Sequence, residues 1–289
     1  MKKVVIAIVI MGMTGGVYAA DFYSLAVKAA DLKTIVATDG KGYVEPVEPA
    51  TPIEWVTING GKFTMGTTSI EQGFEDAKPF HEVAIKTFDM SKTAVTVEQY
   101  MECVAKGYCT TLNTDGDCNW GKPGRQLHPV NCVSWNQATA YARFKGARLP
   151  SESEWEYAAT SGGKNQKYPW GNDVATCDKA VMRDKGYAGC GKQSTMPVCS
   201  KTAGNTAQGL CDMAGNVWQW VQDKYRDSYQ GVPADGSAFD VEFSTSTPVH
   251  RVLRGGSFYS NDARDLRADI RFNNDPGYRY PDVGFRLAR

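Results

Sequence analysis

The chain has 289 residues, and its 32 lysines and arginines balance 32 aspartates and glutamates, so no global field draws in nucleic acid or an anionic membrane. Its three histidines, His81, His128 and His250, are widely scattered and no Cys-x-x-Cys pair occurs, which excludes the common zinc sites. With 29 glycines and 13 prolines, loops must carry much of the structure.

Lys2 and Lys3, an apolar run from Val4 to Met11 and a close on Val17-Tyr18-Ala19-Ala20 have the layout of a secretory signal peptide, residues 1–19, cleaved after Ala19. The run is shorter than the roughly 20 apolar residues that span a bilayer, and no later stretch comes close. The expectation is an exported protein without a membrane span, periplasmic, at the cell surface or secreted. All eight cysteines follow that segment, and an even number in an exported chain reads as disulfides. Chain proximity favours Cys177 with Cys190 and Cys199 with Cys211. The pairing of Cys103, Cys109, Cys118 and Cys132 stays open.

Residues 20–52 read as a linker, poor in aromatics and ending in the Pro-rich Tyr43 to Pro52, with one short helix around Ser24 to Lys33. From residue 53 to 289 no second break in composition occurs, which predicts one domain. Helical periodicity is clear from Thr96 to Ala105, with Val97, Tyr100, Met101 and Val104 on one face. It recurs from Ser134 to Lys145, with Trp135, Ala138, Tyr141, Ala142 and Phe144. Ser151 to Ala159 is a third, shorter helix, in which Ser151 and Glu154 have the spacing of a capping box. The rest is short strand-like runs between turn residues, so the class is α+β.

Nine spaced motifs run through this domain. They are Gly60-Gly61-Lys62-Phe63-Thr64-Met65-Gly66, Val95-Thr96 with Gln99-Tyr100, His128-Pro129-Val130, and Trp135 with Ala138 and Tyr141. Then come Gly146-Ala147-Arg148-Leu149-Pro150 with Glu152 and Glu154 to Ala159, Tyr168-Pro169-Trp170-Gly171, Gly215-Asn216-Val217-Trp218-Gln219-Trp220, Arg254-Gly255-Gly256-Ser257 and Gly284-Phe285-Arg286. In order and spacing the set resembles the formylglycine-generating enzyme, or sulfatase-modifying factor, family. The resemblance implies a C-type-lectin-like fold with little regular secondary structure. Trp155, Trp170, Trp218 and Trp220 suit core anchors whose N–H groups need partners. Arg148, Glu152, Glu154 and Glu156 suit arginine–carboxylate framework pairs rather than acid–base chemistry.

In the family's enzymes two cysteines beyond the Gly-Gly-Ser motif bind copper. The matching positions are Ser260 and Asp265, and no cysteine follows Cys211, so no copper is expected. The iron-dependent relatives carry a histidine-rich helical domain that this chain cannot build. The resemblance also implies a possible calcium loop, with the Asp212 and Gln219 side chains and the Gly215 and Val217 carbonyls as ligands. A metal-free loop beside Cys211 is the alternative. At the family's other calcium site Cys190 stands where a carboxylate is expected.

The tail from Phe258 to Asp282 is crowded with residues that make contacts: Tyr259, Ser260, Asn261, Asp265, Asp269, Phe272, Asn273, Asn274, Asp275, Tyr278 and Tyr280. Arg264, Leu266, Arg267, Ala268, Arg271, Pro276, Gly277 and Arg279 read as framework between them. Aromatic anchors beside adaptable hydrogen-bonding groups have the chemistry of a paratope. The pattern resembles the variable proteins of diversity-generating retroelements, which use the C-type-lectin-like fold. Two functions follow. One is a non-catalytic module binding an unknown protein or glycan ligand through residues 258–282. The other is an oxidase or protein-maturation enzyme with a cysteine-free site drawn from Ser260, Asp265, Arg267, Arg271 and Glu156. The lack of encoded soft-metal ligands weighs against the second.

Overall fold

Strand and helix positions follow from short alternations and from caps. The computed structural model describes residues 50–241 and 249–289. The expected signal segment and the short linker helix lie outside them. In β2 (Gly61–Met65) and β3 (His81–Ile85) alternate residues turn inward, so the antiparallel pair buries Phe63, Met65, Val83 and Ile85 on one face. β1 (Trp55–Ile58) pairs antiparallel with β4 (Phe88–Ser91).

Three helices follow: α1 (Val97–Ala105), α2 (Trp135–Phe144) and α3 (Glu152–Ala159). Each opens on a capping box, Thr96 with Gln99, Ser134 with Gln137 and Ser151 with Glu154. The buried face of α1 is Val97, Gln99, Tyr100 and Cys103. Met101, expected on that face, is exposed, because it stands about 100° around the helix from Tyr100, whereas Cys103 takes the i+3 position on the buried side.

The largest sheet has the order β7-β6-β5-β8, formed by β5 (Trp218–Lys224), β6 (Arg251–Arg254), β7 (Phe272–Asn274) and β8 (Val283–Phe285). β6 runs antiparallel to β5 and β7, whereas β8 is parallel to β5. The segment after β8 reaches back to the start of the domain: Leu287 O accepts from Ser91 N, and Ala288 exchanges backbone hydrogen bonds with Arg148. Residues 258–282 are thus a long excursion held between a central strand and the sheet's parallel edge.

Trp155 and Trp220 are fully buried, one in each of the two main apolar clusters, and donate to Gln219 Oε1 and Val133 O at 2.9 and 3.0 Å. Trp170 and Trp218, expected as core anchors too, are only half-buried. Arg148 forks onto Glu154 at 2.6 and 2.7 Å, but Glu152 and Glu156 serve other arginines. Arg254 reaches Glu152 at 3.0 Å and Glu156 at 2.5 Å, and Arg271 binds Glu152 through two contacts of 2.7 and 2.9 Å. All four groups are buried. The disulfides are Cys103–Cys109, Cys118–Cys132, Cys177–Cys190 and Cys199–Cys211, so the pairs left open by the sequence are also neighbours in the chain.

Candidate functional site

The tail starts from a double glycine that no other residue could replace without movement. Gly255 (φ +97°) and Gly256 (φ +72°) are left-handed; a Cβ at the first would meet Trp155 at 2.9 Å and at the second Asp265 O at 2.8 Å. Next, Phe258 is fully buried under the half-buried Tyr259, with ring centres 4.0 Å apart. The Tyr259 hydroxyl donates to Asp117, and Arg183 lies 5.8 Å from its ring centre. Burial, and then the bond to Asp117, pushes the Tyr259 hydroxyl up to about 12.

Ser260 is buried: its hydroxyl accepts from Ser257 N at 3.1 Å and also bonds Asp265. It therefore belongs to the framework of the turn, a correction to its expected place among contact residues. Burial, and then repulsion from Asp262, raises the Asp265 carboxyl above the usual range. Asp269 is likewise occupied, gripped by Arg267 at 2.8 and 2.6 Å. Of the expected framework, Leu266, Arg267, Ala268 and Arg271 are buried, whereas Arg264 and Arg279 are exposed.

The other tail residues are partly or fully exposed. Phe272 is 50% exposed on β7 and stacks on Trp218 at 5.6 Å. Asn273 Oδ1 lies 2.6 Å from His250 Nδ1. Asn274 Oδ1 accepts from Asp275 N, and Asp275 Oδ1 from Gly277 N at 2.7 Å, so this polar stretch builds its own tight turn. Tyr278 and the 45% exposed Tyr280 stack with centres 3.9 Å apart, and Asn261 is exposed. Trp218 N donates to Asp282 O at 2.7 Å, the Asp282 carboxylate lies 3.3 Å from the Ser257 hydroxyl, and that hydroxyl accepts from Tyr259 N. A path of direct contacts therefore joins Phe272 to Asp117.

Sequence reasoning missed Asp117 and the half-exposed role of Trp218. Buried Asn131 fixes Asp117 in place by donating to Asp117 O and Pro281 O, while Cys132 N donates to Tyr280 O. The Cys118–Cys132 bridge thus clamps a loop from the middle of the chain beside the tail. Nothing in the spacing of Asp115-Gly116-Asp117-Cys118 signals this, because the contacts depend on the cysteine pairing.

The residues of the implied calcium loop do not fit that ion, which takes six to eight oxygen ligands. Gln219 Oε1 already accepts from Trp155 Nε1 at 2.9 Å and Arg286 Nε at 2.6 Å, and Gln219 Nε2 donates to Asp212 O at 2.7 Å. Asp212 Oδ2 accepts from Cys199 N at 2.7 Å. The buried Arg286 guanidinium also donates to Cys211 O and Ser91 O, so a fixed cation stands beside Asp212. Gly215 and Val217 hold the turn through backbone bonds. Adding excess calcium after EDTA treatment should move the melting temperature by less than about 1 °C in scanning calorimetry, since a bound ion stabilises by mass action. A rise of several degrees would restore the metal.

For copper the donor set is equally unsuited. All eight cysteines are in disulfides, and Ser260 and Asp265 offer hard oxygen atoms where copper(I) takes thiolates.

Comparison with known proteins agrees with this architecture. The model of the sulfatase-modifying factor enzyme 1-like domain matches residues 41–289. The formylglycine-generating enzyme of Streptomyces coelicolor is 32% identical over 282 residues, covering 81% of this chain and 88% of that protein. The structure of PvdO from Pseudomonas aeruginosa superposes with a TM-score of 0.68 at 30% identity, over 90% of this chain and 99% of PvdO. Variable protein 1 of Treponema denticola shares the fold, with a TM-score of 0.60 at 23% identity over 81% of this chain and 94% of its own. The chain belongs to the sulfatase-modifying factor, or formylglycine-generating enzyme, family and has its α+β, C-type-lectin-like fold.

Proposed function

We propose that this protein is an exported, non-catalytic module that binds a protein or glycan ligand through segment 258–282, extended by Asp117 and Trp218. The observation that carries this reading is the aromatic surface of Phe272 on Trp218 and Tyr278 on Tyr280, kept partly exposed on a sheet edge and a clamped loop. Rigid aromatics lose little entropy on binding, and the neighbouring Asn261, Asn273, Asn274 and Asp275 supply hydrogen-bonding groups. The two positions matching the enzymes' cysteines hold a hydrogen-bonded serine and aspartate with no thiol near them. Four disulfides suit the oxidising compartment that export would reach, and no helix among the described residues is long and apolar enough to cross a membrane.

The diversified form of this reading is tested by sequencing the codons for residues 254–289 in many isolates. Substitutions are expected at Tyr259, Asn261, Phe272 to Asp275, Tyr278 and Tyr280, whereas the buried Ser260, Arg267 and Arg271 stay fixed. An invariant tail would remove diversification and leave a single fixed ligand. Separately, the purified protein should leave a cysteine-containing sulfatase peptide unchanged by mass spectrometry; conversion of its cysteine would overturn the non-catalytic reading.

A further inference from the structure

A second surface, none of whose residues belongs to segment 258–282, has the make-up of a ligand site. It is an open groove of ≈ 660 Å³ lined by Lys106, Tyr108, Ala140, Arg143 and Phe144, where α1 and α2 end.

Tyr108 is 69% exposed, yet its ring packs against Phe144 with centres 5.2 Å apart and planes 34° apart. Core packing does not account for a tyrosine held so far out. The turn that carries it is fixed by covalent and hydrogen bonds. Cys103 is bridged to Cys109 six residues on, Gly107 takes φ +76°, and Cys103 O accepts from both Tyr108 N and Cys109 N. This is the shortest of the four disulfide loops, so it restricts the unfolded chain least. Its evident effect is local: it preorganises an aromatic platform, which lowers the cost of binding.

Cations surround the platform. The Lys106 and Lys145 ammonium groups lie 5.5 and 5.1 Å from the Phe144 ring centre, and both pair with Glu102. Arg143 is exposed and has no carboxylate partner among the described residues. Three positive groups against one negative leave a surplus of two. Helix C-termini favour positive charge, which accounts for part of this surplus. That preference does not account for the exposed ring pair or the bridged turn beneath it.

We propose that this groove binds an acidic saccharide, whose sugar face lies on Tyr108 and Phe144 and whose carboxylate or sulfate groups pair with Arg143 and Lys106. An open groove suits an extended chain, and flat rings flanked by Arg143 and by two lysines that share the single carboxylate of Glu102 match the apolar face and anionic substituents of such a sugar. The site is independent of the reading given to the tail.

The test titrates the full chain with oligogalacturonate, a heparin oligosaccharide and a neutral dextran of equal length, at physiological salt to suppress loose ion pairing. At least one acidic probe should bind and dextran should not, the effective probe showing whether carboxylate or sulfate is preferred. Tyr108→Ala and Arg143→Gln, both at exposed positions, should each weaken binding about fivefold or more, and Phe272→Ala should leave it unchanged. Absence of binding by both acidic probes would overturn the proposal. So would full affinity in Tyr108→Ala, the mark of plain ion exchange, or loss in Phe272→Ala, which would move the site to the tail.

Discussion

Replacing Arg254 with alanine is expected to lower the unfolding free energy by about 3–5 kcal/mol, read as a drop in the urea midpoint. The guanidinium is completely buried and joins Glu152, Glu156 and Ala268 O across three segments distant in sequence. Removing it leaves Arg271 to neutralise Glu152, but strips Glu156 of the one cation that pairs with it among the described residues. Burial already raises the Glu156 carboxyl above its ordinary range, with Arg254 the strongest opposing influence, so the orphaned group would take up a proton or draw in water. Glu156→Gln in the same chain should therefore recover part of the loss, because a neutral amide can still accept from Gly66 N, as Glu156 does at 2.7 Å. A single-variant loss under about 1 kcal/mol would show that water replaces the arginine freely.

The second large effect is on pH dependence and concerns His128. Its ring is buried, with Nδ1 2.8 Å from Thr195 Oγ1 and 3.1 Å from the Arg125 guanidinium. Burial first, and Arg125 second, lower its pKa from 6.5 to about 4. The unfolded chain therefore binds more protons than the folded one between those values, and the group's contribution, fully present above 6.5, is lost as pH falls toward 4. At about 1.4 kcal/mol per unit, discounted for the solvent that still screens the ring, the loss is on the order of 1–2 kcal/mol. Asp223 acts in the opposite sense. Burial and the charge of Glu152 push it up to about 7, so its contribution is present at low pH and is lost as pH rises through 7. The two windows overlap, which makes total stability a poor readout. The informative quantity is the difference between the wild type and His128→Asn in urea midpoints from pH 4 to 7.5, which should move in the variant's favour as pH falls. A pH-independent difference would show that the ring protonates in place.

The helices were the most legible part of the structure because their signals are local. Ser151 with Glu154 marked the start of α3 to the residue, and apolar periodicity marked the helices that begin after Thr96 and Ser134, where the structure shows the same capping box. The strands carried less information: β7 and β8 are three residues each, too short for alternation to stand out, and a parallel pairing of β5 with β8 leaves no trace in either segment. In the tail, residue type singled out a stretch of chain but did not separate its exposed members from its buried ones. Ser260 has the composition of a contact residue and the environment of a framework one, because the Gly255-Gly256 turn folds its hydroxyl back onto Ser257 N. Asp117 was invisible, since only the Cys118–Cys132 bridge and Asn131 bring it beside Tyr259.

The return of the residues after β8 to the beginning of the domain also bears on how the chain acquires its fold. Ser91 and Leu287 are 196 positions apart, and Asp89 meets Arg289 across 200. While the chain is being made, the outer edge of β4 and the pocket for Arg286 have no partner until nearly all of the domain has emerged. Such distant closures are slow, and they leave strand edges open to pairing with other chains in the meantime. Within the domain, residues 258–282 thus directly precede the stretch that closes it, Arg286 to Arg289. Under the binding reading proposed above, a substitution in residues 258–282 should be tolerated only where Arg286 to Arg289 can still dock behind it.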